Sequence, residues 1–240
     1  MIWQDEAIIV GKKLIGENHI LLEVLTKNNG FYKGIVFGGT SKKKQPLLQL
    51  GNYVSLDYKC RTEEQLGSFT VEPITYFFGQ IMSSAINLYY VQLIAIYLRC
   101  LPEREAYPVI YSLFLTSFSF FDKKYILGEF LARLELKLLE DLGFGLPFSK
   151  CAVTGKKEGL TYVSPKTGNA VCQNIGEPWK DKLFFLPEFL LNINLRPKSN
   201  IDILNALKIT GYFIDKYEWQ RQKKQPPDIR EKIVKILATN

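Results

Sequence analysis

Three consecutive cations, Lys42, Lys43 and Lys44, follow Gly38-Gly39-Thr40-Ser41 and precede Pro46. Ammonium groups clustered on a Gly- and Ser-rich segment suit phosphate contact, because each phosphate they neutralise releases a condensed counterion. Pro46 cannot donate to a sheet ladder, so the segment is expected to be a mobile basic loop leaving a strand. Phe31, Tyr32 and Lys33 stand just before it, and Tyr53 and Tyr58 just after. Such a mixture can bind single-stranded nucleic acid, with bases stacked on the rings and phosphates tracked by the cations. A small barrel needs the same rings to fill its interior.

A second basic region lies towards the end of the chain. The net charge of the whole chain is +7, and by residue it divides into +1 for 1–78, −1 for 79–148 and +7 for 149–240. Lys156-Lys157 and Arg221-Gln222-Lys223-Lys224 are the densest clusters there. A solvated face accounts for part of this excess, and a phosphate-contacting surface through Arg221, Lys223 and Lys224 accounts for the clustering.

Catalytic chemistry is poorly supplied. His19 is the only histidine, and no nucleophile elbow, phosphate-binding Walker loop or His-Glu-x-x-His segment occurs. Glu63-Glu64 and Glu140-Asp141 could in principle hold a metal for nuclease chemistry, but adjacent side chains in a strand or helix point apart. No cofactor is expected.

The elements that must position these residues are legible from periodicity. Apolar runs at 8–15, 20–25 and 31–37 are separated by Gly16-Glu17-Asn18 and Asn28-Asn29-Gly30, and two further strand-like runs cover 52–61 and 67–74. Five short strands in this length fit a Greek-key barrel of the OB type. Helical spacing then takes over. Ser83 or Ser84 can cap a helix running to about Leu101, and Pro108 can open the next. Leu127, Phe130, Leu131, Leu134 and Leu138 mark a helix over 125–142 closed by Gly143, with Glu129, Arg133 and Lys137 on its opposite, solvated face. Another helix is capped near Ser199 or Asn200. After Pro226-Pro227 a terminal helix, 228–237, turns Ile229, Ile233 and Ile236 inward. Residues 73–98 carry no charge, but polar residues interrupt them, so a buried helix is expected rather than a membrane span. Hydrophobic content of 47% and charged content of 23% disfavour long disorder. Acidic residues at Asp5 and Glu6 argue against a signal peptide. The four cysteines show no disulfide framework and fit a reducing cytoplasm.

Three segments carry a family resemblance: DEAIIVGKKLIGENHILLEVLTKNNGFYKGIVFGG, RLELKLLEDLGFGLPFSKCAVTG and YVSPKTGNAV. In this order and at this total length they resemble RecO, the recombination mediators of bacterial DNA repair. The resemblance implies a non-enzymatic protein that binds single- and double-stranded DNA and anneals complementary strands. It also implies cooperation with RecR to place RecA on DNA coated by single-stranded DNA-binding protein. Arg133 then stands where the family receives the acidic, Phe-ended tail of that coating protein, with Phe118 and Phe130 as candidate walls for the aromatic ring. Helical spacing places both phenylalanines equally well in a core. Many relatives carry paired Cys-x-x-Cys knuckles near residues 151–175. Here Thr154 and Ile175 replace one cysteine of each pair, which leaves too few ligands for a tetrahedral zinc. One departure lies at Phe37, where relatives often have a cation.

The sequence therefore predicts an α+β chain. An OB-type barrel occupies 1–80 and an all-α domain 81–240, with a degenerate zinc-finger-like hairpin inserted at 149–176. The expected function is DNA repair mediation, with partners DNA, RecR and the tail of single-stranded DNA-binding protein, and no membrane. The competing class is an OB-fold RNA-binding protein of translation or RNA processing, because cations and rings alone do not distinguish the sugars.

Overall fold

A computed structural model describes residues 1–62 and 65–239 of the chain. The pair Glu63-Glu64 lies outside the described residues. The chain forms two compact units, residues 1–122 and 123–240.

In the first unit β1 (Ile2–Ile15), β2 (His19–Thr26), β3 (Gly30–Val36), β4 (Tyr53–Lys59) and β5 (Gly67–Thr75) close into a barrel in the order β1-β2-β3-β5-β4. The first strand starts earlier than the apolar run suggests. Its first half pairs with β4, Ile2 opposite Lys59 through Ile8 opposite Tyr53, and its second half with β2. A register shift between Ile9 and Gly11 bends it from one partner to the other. Closure is made by the parallel pair β3–β5, Gly34 opposite Gly67. Both positions need glycine, because a Cβ would sit 2.5 Å from the Phe69 ring at Gly34 and 2.3 Å from the Tyr58 ring at Gly67.

Ala7, Ile9, Leu22, Val24, Val36, Val54 and Leu56 fill the barrel with Tyr32, Tyr58 and Phe69. Trp3 stacks on Tyr58 at 4.8 Å, and Tyr32 meets Tyr58 edge-on at 5.3 Å. The rings expected to stack on bases are thus largely interior. Phe31, on the other face of β3, is buried where the chain after the barrel returns, and Arg104 N donates to its carbonyl at 3.0 Å. Lys33 reaches the same returning segment and pairs with Glu103 at 2.6 Å.

Helices α1 (Phe78–Met82), α2 (Ala85–Leu98) and α3 (Pro108–Ser117) belong to this first unit. The compact unit that holds the barrel therefore runs on through these helices to Asp122, past the change from strand to helix pattern at 80/81. Ser84 caps α2 by accepting from Asn87 N. Pro108 opens α3, where its missing N–H costs nothing. The charge-free stretch holds the end of β5, α1 and α2, and α2 is buried on most of its circumference. Among the described residues no helix is long and apolar enough to cross a membrane. Phe118 is core here, its ring within 5.0 Å of those of Phe77, Phe114 and Phe121.

The second unit is built on α4 (Lys124–Asp141), with α6 (Asn200–Ile214) and α7 (Asp228–Ala238) packed against it. Ser199 caps α6 by accepting from Asp202 N. Phe130 is buried in the stripe of α4. The face expected to be solvated is not: Glu129 is buried, and Arg133 Nε and Arg196 Nη1 donate to its Oε1 at 3.0 and 2.9 Å. Deeper still, Glu135 accepts from Arg230 Nε and Nη2 at 2.8 and 2.9 Å and from the Thr210 hydroxyl. This pair ties α7 to α4. On α7 the deep residues are Ile233 and Leu237, while Ile229 and Ile236 are only half-buried.

Between α4 and α6, strands β6 (Leu160–Val163), β7 (Ala170–Cys172) and β8 (Phe184–Phe185) form a small sheet with α5 (Gln173–Gly176) beside it. The hairpin is held by packing and by a sulfur-centred cluster. Cys172 N donates to Cys151 Sγ at 3.3 Å, and the Thr154 hydroxyl lies 3.5 Å from Cys172 Sγ. Burial pushes the Cys151 thiol up. Hydrogen bonds to its sulfur from the Thr154 hydroxyl and from the amides of Thr154, Cys172 and Val153 outweigh burial and bring it down to about 6.

Two expectations follow from this packing. Replacing Arg230 by Met leaves Glu135 buried and uncompensated and should cost about 3 kcal/mol in denaturant unfolding; a loss under ~1 kcal/mol would show that the pair contributes little. Cys151 has a folded pKa below the ordinary thiol value of about 8.5, so its thiolate stabilises the fold fully above that pH and not at all below about 6. Thermal melts should show Cys151→Ser losing more stability at about pH 9 than at about pH 5.5, and equal losses would contradict the thiolate assignment.

Candidate nucleic-acid interface

The segment after β3 carries backbone hydrogen bonds of its own. Ser41 N bonds Gly38 O, Lys44 N and Gln45 N bond Ser41 O, and Leu48 N bonds Lys44 O, making a run of tight turns. Leu47 and Leu48 then plug into the barrel core. Asn52 fixes the end of the segment: its buried Nδ2 donates to the carbonyls of Pro46 and Leu47, both at 2.9 Å. Its Oδ1 accepts from Phe77 N and Phe78 N, both at 3.1 Å.

On this frame Lys42 and Lys43 are exposed. Lys44 turns back, and its Nζ donates to Phe37 O at 2.7 Å. Lys12 joins the group from β1 through Gln49 Oε1 at 2.9 Å, and partial burial lowers its pKa. Phe37 is the aromatic that the loop presents. It is 57% exposed and meets His19 edge-on at 5.1 Å, while His19 Nδ1 accepts from Gly38 N at 3.3 Å. The face thus offers one outward ring among four ammonium groups. Of the residues expected here, Lys42, Lys43 and Lys44 come together, whereas Phe31, Tyr32 and Lys33 are withdrawn into core or ion pair. Phe37 and Lys12 were missed. Strand alternation carries the signal for Phe37, since Val36 points in and its neighbour must point out.

In the second unit Arg221, Lys223 and Lys224 are all exposed, on the turn that follows α6. Arg221 lies 5.4 Å over the Phe144 ring. The backbone amides of Lys223 and Lys224 close this turn onto Gln220 and Trp219.

Arg133 does not stand open. Its side chain is 10% exposed, lies 5.2 Å over the Phe189 ring, and its Nη2 donates to Leu195 O at 2.6 Å. Arg196, 70% exposed, is the guanidinium that solvent reaches. Next to it is a pocket of about 120 Å³ lined by Phe185, Glu188, Phe189, Leu195, Arg196, Lys198 and Asp202. Phe118 and Phe130 are both buried, and neither lines this pocket.

Cys151 and Cys172 face Thr154 where a tetrahedral thiolate site needs more ligands, and among the described residues no three His, Cys, Asp or Glu side chains cluster.

Comparison with known proteins agrees with this architecture. Residues 1–77 match the family model described as Recombination protein O N terminal, and residues 82–226 match Recombination protein O C terminal. The chain is 41% identical over 237 residues to the DNA repair protein RecO of Bartonella tribocorum, covering 99% of this chain and 96% of that one. It is also 41% identical over 237 residues to the RecO of Bartonella quintana, covering 99% and 98%. The RecO of Brucella abortus is 41% identical over 230 residues, covering 96% and 93%. Family models over both parts of the chain, near-full-length relatives and a closed five-stranded barrel followed by helices lead to one conclusion: the chain belongs to the Recombination protein O family.

Proposed function

We propose that this chain is a DNA repair and recombination mediator of the cytoplasm that works by binding rather than by bond-breaking chemistry. The observation that carries the reading is the ordered basic face of the barrel, with Phe37 outward among Lys12, Lys42, Lys43 and Lys44. Cations held on a fixed frame attract any phosphate backbone without reading bases, and the exposed ring favours an unstacked strand. Arg221, Lys223 and Lys224 give the second unit a basic surface of its own. Screening two backbones at once lowers the repulsion that opposes annealing. In this reading the protein binds single- and double-stranded DNA, anneals complementary strands and, with RecR, helps to place RecA on DNA covered by single-stranded DNA-binding protein.

The tail of that covering protein would dock at the pocket beside Phe185 and Leu195. Arg196, which shares Glu129 with Arg133, and Lys198, which pairs with Glu188 at 2.6 Å, would take its carboxylates. Arg133 fixes the 195–196 backbone from below, so its contribution to the tail is to hold the site in shape.

Replacing Lys42 and Lys43 by Ala should weaken DNA binding and lower the slope of log affinity against log salt by about 1.4 for single strands; an unchanged slope would remove the loop from the interface. Competition with an RNA strand of the same sequence tests the RNA-binding alternative, which predicts preference for RNA. Arg196→Ala should weaken the tail peptide by about one to two orders of magnitude with little change in melting temperature. Arg133→Ala should weaken the peptide and lower the melting temperature together. Unaltered peptide affinity in both variants would move the docking site elsewhere.

A further inference from the structure

The outer side of the second unit carries a ladder in which cations and aromatic rings alternate across segments distant in sequence. It starts at Lys208, whose ammonium lies 5.7 Å from the centre of the Phe184 ring on β8. Phe184 meets Tyr212 edge-on at 5.1 Å, and Lys216 lies over Tyr212 at 6.0 Å and over Tyr217 at 5.2 Å. Tyr217 stacks on Phe144, 4.7 Å away and within 9° of parallel, and Arg221 covers the Phe144 ring. Positions 208 and 212 are four apart on α6 and so share a face, and Lys216 follows two residues after the end of that helix. A π-helical turn at Asp215–Trp219, closed by Gln220 N to Asp215 O at 2.8 Å, then breaks that register before Arg221.

The way these cations are held sets them apart. Lys33, Lys137 and Arg230 each pair with a carboxylate, which largely cancels their charge, and Arg133 and Arg196 share the single carboxylate of Glu129. Among the described residues, Lys208, Lys216 and Arg221 have rings for partners, and Lys216 adds the carbonyls of Pro165 and Lys166; none pairs with a carboxylate. Rings and carbonyls orient a cation and leave its charge available. Tyr212, in the middle of the row, is 42% exposed and has a cation on one side.

The geometry points to a track for single-stranded DNA along this ladder, in which Lys208, Lys216 and Arg221 take successive phosphates and Tyr212 stacks on a base. The inference rests on the DNA-binding reading above and adds a second, base-stacking surface to it. It also gives Arg221 a place in a built site. Duplex DNA, whose bases are already stacked, gains only the electrostatic part.

The test is anisotropy titration of the full chain with fluorescein-labelled oligothymidine and with a labelled duplex, across a range of salt. Tyr212→Ala should weaken the single strand by about tenfold or more and leave the salt slope unchanged, while Tyr212→Phe binds like the parent. Lys208→Ala with Lys216→Ala should lower the single-strand salt slope by about 1.4 and weaken the duplex as well. Should Tyr212→Ala prove poorly folded, the lysine pair decides alone, because Lys208 is exposed, Lys216 is only half-buried and neither pairs with a carboxylate. Unchanged single-strand affinity in both α6 variants, when the Lys42/Lys43 variant does lose affinity, overturns the ladder and keeps the barrel reading. Equal loss of single strand and duplex in Tyr212→Ala overturns base stacking. Failure of the parent protein to bind either DNA overturns both readings.

Discussion

The Asn52 side-chain amide spends its hydrogen-bonding capacity on backbone from two directions, the Pro46-Leu47 carbonyls and the Phe77-Phe78 amides. Its backbone carbonyl also accepts from Ile9 N, which joins β1 to the same point. This one residue therefore locates the end of the basic segment, the mouth of the barrel and the entry to α1. A buried amide left without partners costs roughly 1–3 kcal/mol per unsatisfied group, so no smaller or apolar side chain can take its place without releasing several backbone groups into a dry interior. The presentation of Lys42 and Lys43 depends on this clamp more than on the loop's own composition.

Buried carboxylates do comparable work elsewhere. Asp5 accepts from the Glu6 and Asn28 amides and from the side chains of Asn28 and Asn29, which sets the β2–β3 turn without any cation. Glu129 gathers two arginines and fixes the 195–196 strap, and Glu135 anchors the last helix. Such groups add little net stability compared with apolar packing, but removing one partner is expensive, and they select one arrangement of helices over its neighbours. The same economy of charge explains the surface. Cations that build the fold are neutralised by carboxylates, whereas those proposed to meet phosphate are steered by rings, carbonyls and turns.

Much of this was readable in the chain. Turn residues and apolar alternation located the five strands, and Ser84, Ser199 and Pro108 placed helix starts. What failed was the assignment of side chains to inside or outside. Phe31 and Tyr32 are neighbours on one strand, so alternation should expose one of them, but β3 is covered on both faces, by the barrel interior and by the segment around Arg104. Arg133 looked solvated because helical spacing shows only its own helix, and the strap at Leu195 that covers it lies far along the sequence. The ladder was invisible for the same reason. Its rings come from residues 144, 184, 212 and 217, and no local pattern unites them. The separation into packing units was equally non-local, because α1 to α3 look like the start of a helical domain until their contacts with the barrel are known.

The central claim is that DNA is held by fixed cations on both units, at the barrel loop and along α6. Lysine footprinting tests it most directly: the full chain is acylated with and without oligothymidine, and modification is read at each lysine by mass spectrometry. The account predicts protection of Lys42, Lys43, Lys208 and Lys216 on binding, with Lys232 and Lys235 on α7 labelled equally in both samples. Unchanged labelling of the four in a sample where DNA is demonstrably bound would contradict it.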